Sequence, residues 1–155
     1  MFVQRVVVLG RGAAGKSVLA RELGRVTNLP VVELDKEFWS ADLKPMQLDA
    51  WRERQQALGE EPRWIMDGDL GPYDDPAPRL RRADTVVVLD MPLWLCAWQA
   101  LRRARERSGF WRWVIRWRRE SRSEVMAAIA KHAPSADVVV LQGRWAVRRW
   151  LRVHS

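Results

Sequence analysis

Gly10-Arg11-Gly12-Ala13-Ala14-Gly15-Lys16-Ser17 satisfies the spacing Gly-x-x-x-x-Gly-Lys-Ser at every specified position. Glycines at these places let the backbone curl so that successive N–H groups point at phosphate oxygens. A helix starting at the lysine adds the positive end of its dipole. Lys16 is then expected to reach the β- and γ-phosphates and Ser17 to ligate Mg²⁺, which implies a nucleoside triphosphate, ATP with Mg²⁺. The expected nucleotide-binding set is Gly10, Gly12, Ala13, Ala14, Gly15, Lys16, Ser17 and Val18. The pattern arises by chance in roughly 1% of chains this long, and its flanks lower that further.

Chemistry on a phosphate needs a second acid to hold or orient the metal. Asp67 and Asp90 both end apolar runs. Asp67 precedes a glycine, which permits close approach to a ligand; Asp90 precedes Met91-Pro92 and could equally cap a helix. The metal set is therefore taken as Ser17 and Asp67, with Asp90 left open. Glu33-x-Asp35 ends another apolar run, and in a strand these two acids would share a face. Asp35, at the carboxyl end, is the candidate to accept a proton from, or hydrogen-bond, an acceptor hydroxyl.

Nine arginines fall between Arg102 and Arg122, interleaved with Trp111, Trp113 and Trp117. Arg103 and Arg107 are four apart and Arg119 and Arg122 three apart, so each pair shares a helix face. Arginines on a mobile segment neutralise charge during phosphoryl transfer, and Ser108-Gly109 supplies a hinge for a short lid over about 102–122. The plainer reading is a solvated arginine face with tryptophans packed on the core. A third reading has arginines tracking phosphates and aromatics stacking bases of a single-stranded nucleic acid. Helical core spacing of Phe110, Val114 and Trp117 disfavours it.

These residues need a scaffold. Strand-like runs occur at Arg5 to Leu9, Val31 to Asp35, Trp64 to Asp67, Thr85 to Asp90 and Asp137 to Leu141. Helical patterns lie between or after them: Lys16 to Val26, Asp49 (as cap) to Leu58, Leu93 to Arg107, Trp111 to Lys131 and Ala146 to Val153. Residues 71 to 78 are dense in turn formers and read as loop. Five alternations imply an α/β parallel sheet covered on both faces, with ligands at the carboxyl ends of its strands. At 155 residues, 48% apolar and 30% charged, the chain reads as a single domain, 1–155. Cys96 is its sole cysteine, so there is no internal disulfide. No signal segment or membrane span is apparent, and the expected location is cytoplasmic. The net charge of +8 does not by itself select a nucleic acid, because phosphorylated ligands also need arginines. His132 and His154 have no metal-ligand spacing and read as surface residues.

The P-loop, Leu34-Asp35-Lys36-Glu37-Phe38-Trp39, Trp64-Ile65-Met66-Asp67-Gly68-Asp69 and Ala83-Asp84-Thr85-Val86-Val87-Val88-Leu89-Asp90-Met91-Pro92 together resemble the bacterial topology-modulation proteins. These are small P-loop chains related to adenylate kinases, and the match extends through Arg118-Arg119-Glu120-Ser121-Arg122 to the end. The resemblance implies a P-loop NTPase fold of the nucleoside-monophosphate-kinase type, a five-stranded parallel sheet in the order 2-3-1-4-5. It implies that Asp67 is the metal-linked acid of the third strand and that Arg103, Arg107, Arg119 and Arg122 belong to the lid. Members often have Asn where this chain has Asp69 and a longer lid. The acceptor-helix arginines of adenylate kinases are faintly matched by Arg52 and Arg54. Together these readings give an ATP-dependent kinase for a small acceptor, a nucleoside monophosphate among them. The alternative is a nucleotide-regulated nucleic-acid-binding protein with little turnover. Neither the acceptor, the base preference nor the oligomeric state follows from the sequence, although Gln142 to Trp145 would lie near the base.

Overall fold

The computed structural model describes residues 3–10, 15–42, 44–70, 73–92, 94–95, 98 and 122–155. In chain order the elements are β1 (Arg5–Gly10), α1 (Lys16–Thr27), β2 (Val31–Glu33), α2 (Leu34–Phe38), α3 (Leu48–Gly59), β3 (Trp64–Asp67), α4 (Ala77–Leu80), β4 (Thr85–Leu89), α5 (Arg122–His132), β5 (Asp137–Leu141) and α6 (Arg144–His154). The strands form one five-stranded sheet in the order β2-β3-β1-β4-β5, and all four pairings are parallel. This is the expected architecture and strand order.

Strand alternation divides the core into two halves. Val6 and Val8 of β1 face one side with Leu19, Ala20 and Leu23 of α1, Ile65 and Val87, closed over by Ala146, Val147, Trp150 and Leu151 of α6. Val7 and Leu9 face the other with Leu34, Phe38, Trp51, Trp64, Met66, Leu80 and Ile129. Continuous valine runs are what a strand covered on both faces requires.

Four local readings need correction. The second strand stops at Glu33, and Asp35 lies in the first turn of α2 rather than on a strand. Leu34 and Phe38, four apart and both buried, fit a helical turn onto the core, and this packing outweighs the β preference of the preceding valines. Glu33 and Asp35 therefore do not share a strand face; Glu33 instead pairs with Lys36 at 2.6 Å. Asp49 is not a helix cap: α3 begins at Leu48 with Gln47 ahead of it, and Asp49 binds Arg52 at 3.0 Å. The loop over 71–78 runs into the short helix α4, started by Pro76. Finally, β4 ends at Leu89, leaving Asp90 just beyond it. His132 and His154 are half-buried, and His154 Nδ1 lies 2.9 Å from the Trp150 carbonyl oxygen.

Candidate functional site

The P-loop leaves the sheet at Gly10, which pairs with Leu89 of β4. A Cβ on Gly10 would lie 2.5 Å from the Leu89 carbonyl oxygen, and its φ is 153°. Only glycine fits where the loop passes so close to β4. The chain enters α1 through Gly15, in the left-handed conformation, and Leu19 N–H donates to the Gly15 carbonyl at 3.0 Å. The middle of the loop, with Gly12, Ala13 and Ala14, lies outside the described residues.

Lys16 Nζ donates to the Gly10 carbonyl at 3.1 Å, which holds the ammonium across the mouth of the loop. Sheet register puts Asp67 beside Val8 on one side and Glu33 on the other. Asp67 is 5% exposed and accepts a hydrogen bond from the Ser17 side chain, while its Oδ1 has no partner among the described residues. Burial pushes its carboxyl above the ordinary range, against the opposing pull of Ser17 and the Lys16 charge. An orphaned, desolvated carboxylate oxygen next to a P-loop serine suits a hard cation. Among the described residues no group of three His, Cys, Asp or Glu forms a metal cage. Mg²⁺ needs none, because it keeps waters and phosphate oxygens as ligands.

Asp35 faces this centre from α2. Desolvation pushes its carboxyl up, Lys16 pulls it down, and Asp67, Asp69 and Asp74 push it up again. Asp35 is thus within electrostatic reach of Lys16 and of Asp67, Asp69 and Asp74, on a solvent-exposed position of α2. Phe38, Trp39, Trp51 and Tyr73 pack as an aromatic cluster, Phe38 and Trp51 within the core and Tyr73 exposed, with Phe38 and Trp39 edge to face at 4.9 Å and Trp39 and Tyr73 at 5.9 Å.

Asp90 occupies different surroundings. It is 4% exposed, accepts a hydrogen bond from Gln142 at 3.2 Å and pairs with Arg122 at 3.3 Å. The two acids that sequence left open as metal partners thus differ: Ser17 bonds Asp67, while a guanidinium and an amide approach Asp90. Arg122 is accordingly placed at the end of β4. Arg103, Arg107 and Arg119 lie outside the described residues. Arg52 pairs with Asp75 at 2.7 Å as well as with Asp49, and Arg54 pairs with Glu37 at 2.6 Å, so neither is an uncommitted cation.

Two features escape sequence reasoning. Arg79 is fully buried: it pairs with Asp74 at 2.6 Å and donates to Gln55 at 2.7 Å and to the Gly68 carbonyl at 3.3 Å. It thereby ties the turn after Asp67 to α3 and α4. At the other end, Pro92, Trp94, Leu95, Trp98, Gly143 and Arg144 line a cleft of about 440 Å³ next to the β5–α6 junction.

Comparison with solved structures decides the fold. A shikimate kinase from Acinetobacter baumannii, solved with shikimate, superposes with a TM-score of 0.61 at 14% identity, over 97% of this chain and 90% of that one. The fold is that of the small P-loop kinases. A sugar kinase from Janibacter sp. HTCC2649 superposes at 0.55 with 19% identity, covering 97% and 93%. A gluconokinase from Sinorhizobium meliloti 1021 gives 0.55 at 14%, covering 97% and 89%. No family model matches the chain, and no curated protein does. At these identities the small P-loop kinases share architecture with this chain, and its chemistry has to be argued from its own residues. No helix among the described residues is long and apolar enough to cross a membrane.

Proposed function

We propose that this chain is an ATP-dependent, Mg²⁺-requiring kinase that phosphorylates a hydroxyl group of a small acceptor. The observation that carries the proposal is the convergence of Lys16, Ser17 and Asp67 at the end of β1 and β3, with an Asp67 oxygen that has no hydrogen-bond partner among the described residues, within electrostatic reach of Asp35. When bound, Mg²⁺·ATP supplies the phosphoryl group and much of the charge neutralisation. Gly10, Gly12, Ala13, Ala14, Gly15 and Val18 would cradle the phosphates, Lys16 would bind the terminal ones, and Ser17 and Asp67 would hold the metal. Asp35 would orient the acceptor hydroxyl and take up its proton, for which a carboxyl raised above its ordinary value is better suited than an unshifted one. Arg103, Arg107, Arg119 and Arg122 would close over the transferring group, with Arg122 drawn from Asp90. Catalysis of this kind rests on positioning and electrostatics rather than on a covalent intermediate.

The resemblance to topology-modulation and adenylate kinases puts nucleoside monophosphates in the acceptor panel. One observation puts hydroxylated compounds without a phosphate ahead of them: Arg52 and Arg54 on α3 are already bound by carboxylates. Kinases of the same fold are named for shikimate, gluconate and sugars.

The test is transfer of labelled γ-phosphate from Mg²⁺·ATP to nucleoside monophosphates, nucleosides, sugars and hydroxylated acids, with Lys16→Ala and Asp35→Ala alongside. The expected result is one labelled product class, reduced at least ~100-fold in both variants, in line with the loss of a positioned charge or base. Full turnover in Lys16→Ala would sink the assignment. The rival, a nucleotide-regulated nucleic-acid binder, predicts only slow phosphate release that no acceptor accelerates.

A further inference from the structure

The outward face of α6 repeats with a period of four. Arg144, Arg148 and Arg152 form one exposed row, and Trp145, Arg149 and Val153 form the row beside it. Trp145 is 72% exposed and Val153 76%, and the Arg149 guanidinium carbon stands 5.4 Å from the centre of the Trp145 ring. The opposite face, with Ala146, Val147, Trp150 and Leu151, is packed into the core.

Arg149 lies over the Trp145 ring and Arg152 in the last turn suits the helix dipole, but no ion pair among the described residues offsets the charge of this face. The sequence has no Asp or Glu from residue 138 to 155, and none of the ion pairs among the described residues involves the four arginines. Arginines four apart repel one another along a helix. Arg144 also lies in the first turn, which has no acidic residue to offset it, where the dipole disfavours a cation. The helix thus carries a concentration of positive charge that suits a polyanion. An exposed indole in its first turn adds a stacking surface, which an anion without flat groups would not use.

We propose that the outward face of α6 binds a single-stranded nucleic acid, with Arg148, Arg149 and Arg152 on its phosphates and Trp145 stacked on an unpaired base. Arginine rows beside an exposed aromatic are the combination that grips single strands without sequence preference. Base pairing in a duplex would deny Trp145 its partner. An anionic membrane is the poorer fit, since an interfacial helix needs its apolar face free and here that face is partly buried and packed against the core. The proposal does not depend on the kinase reading.

The test uses the full chain, with and without Mg²⁺·ATP, and labelled oligo(dT) and oligo(U) of about 15 nucleotides, near the upper end of known site sizes. Anisotropy at ~50 mM salt should show binding that weakens steeply as salt rises. Combining Arg148→Ala, Arg149→Ala and Arg152→Ala should weaken it at least ~10-fold and flatten the log–log salt slope by about 2. Phosphotransfer, if present, and thermal stability should stay unchanged in that variant. Trp145→Ala should weaken single-strand binding about tenfold and leave duplex binding as it was. The comparison of oligo(dT) with oligo(U) tells DNA from RNA as the source of the strand. The proposal is overturned if the triple variant binds oligonucleotides as well as the parent does. It is equally overturned if phosphatidylserine vesicles or a polyglutamate peptide bind as tightly and lose binding in the same variant.

Discussion

Asp67 carries a conflict between stability and function. Its carboxylate is desolvated at the end of β3, and one oxygen has no partner among the described residues. Replacing it with Asn keeps an acceptor for Ser17 and removes the buried charge. Asp67→Asn should raise the melting temperature of the nucleotide-free protein by roughly 2–4 °C, the equivalent of ~1 kcal/mol in a chain of this size. It should also reduce Mg²⁺-dependent phosphotransfer at least ~10-fold. The sign of the pH dependence follows from the raised native value. Between the unfolded value near ~3.9 and the higher native one the folded state holds the extra proton, so the parent loses stability as pH rises through that window. The advantage of the variant should therefore shrink as pH falls, which calorimetry at pH 7 and in mild acid measures. The P-loop pattern around Lys16 and Ser17 was legible from sequence because its spacing is local, whereas Asp67, 50 residues beyond Ser17, stood out only as an acid ending an apolar run. Arg79 was not legible: its partners Gln55 and Asp74 lie 24 and 5 residues away, and a fully buried arginine runs against residue statistics.

At the scale of elements, periodicity recovered all five strands, since unbroken valine runs leave few alternatives. The β2–α2 boundary was misplaced because Leu34 fits a strand by propensity and a helix by its spacing to Phe38, and only the core chooses. Gly24, which lowers helix propensity within α1, has its reason in packing. A Cβ there would lie 2.7 Å from Val31 Cγ2 and 3.1 Å from the Leu29 carbonyl oxygen, where α1 lies against β2. Gly24→Ala gains ~1 kcal/mol of helix propensity. Overpacking against a stiff β-branched side chain and a backbone oxygen costs about 1–3 kcal/mol, so packing should win. The expected outcome is a net loss near ~1 kcal/mol, read as a lower urea midpoint at constant m-value. A gain in stability would mean that β2 shifts freely away from α1, contrary to its pairing with β3.

Across the whole molecule, the two halves of the core are built differently. The side under α1 and α6 is largely apolar, with Asp67 bonded to Ser17 at its edge, whereas the side under α3 and α4 encloses the Arg79–Asp74 pair. Trp51 Nε1 donates to Asp74 at 3.1 Å, and Arg52 and the Ala77 N–H bind Asp75, so one polar network joins α3, the turn after β3 and α4. Burial alone would push the Asp74 carboxyl up. The charge and hydrogen bonds of Arg79, with help from Trp51 and the Leu70 N–H, outweigh it and hold the carboxyl below its ordinary value. The pair thus contributes stability that is present above the unfolded value of ~3.9 and is lost as pH falls through the lower native value. Arg79→Met removes the compensating charge and leaves Asp74 buried and ionised, which should cost about 3–5 kcal/mol at pH 7. In that variant only Trp51 and the Leu70 N–H still oppose desolvation, the largest influence, so the Asp74 carboxyl moves up and protonation relieves the damage. The stability gap between parent and variant should accordingly narrow as pH drops towards ~4. A second substitution, Asp74→Leu on the Arg79→Met background, should recover much of the loss at pH 7, because it removes the stranded charge. Urea unfolding of the three proteins at both pH values decides it: a gap independent of pH and no recovery in the double variant would mean that Arg79 acts through packing volume alone.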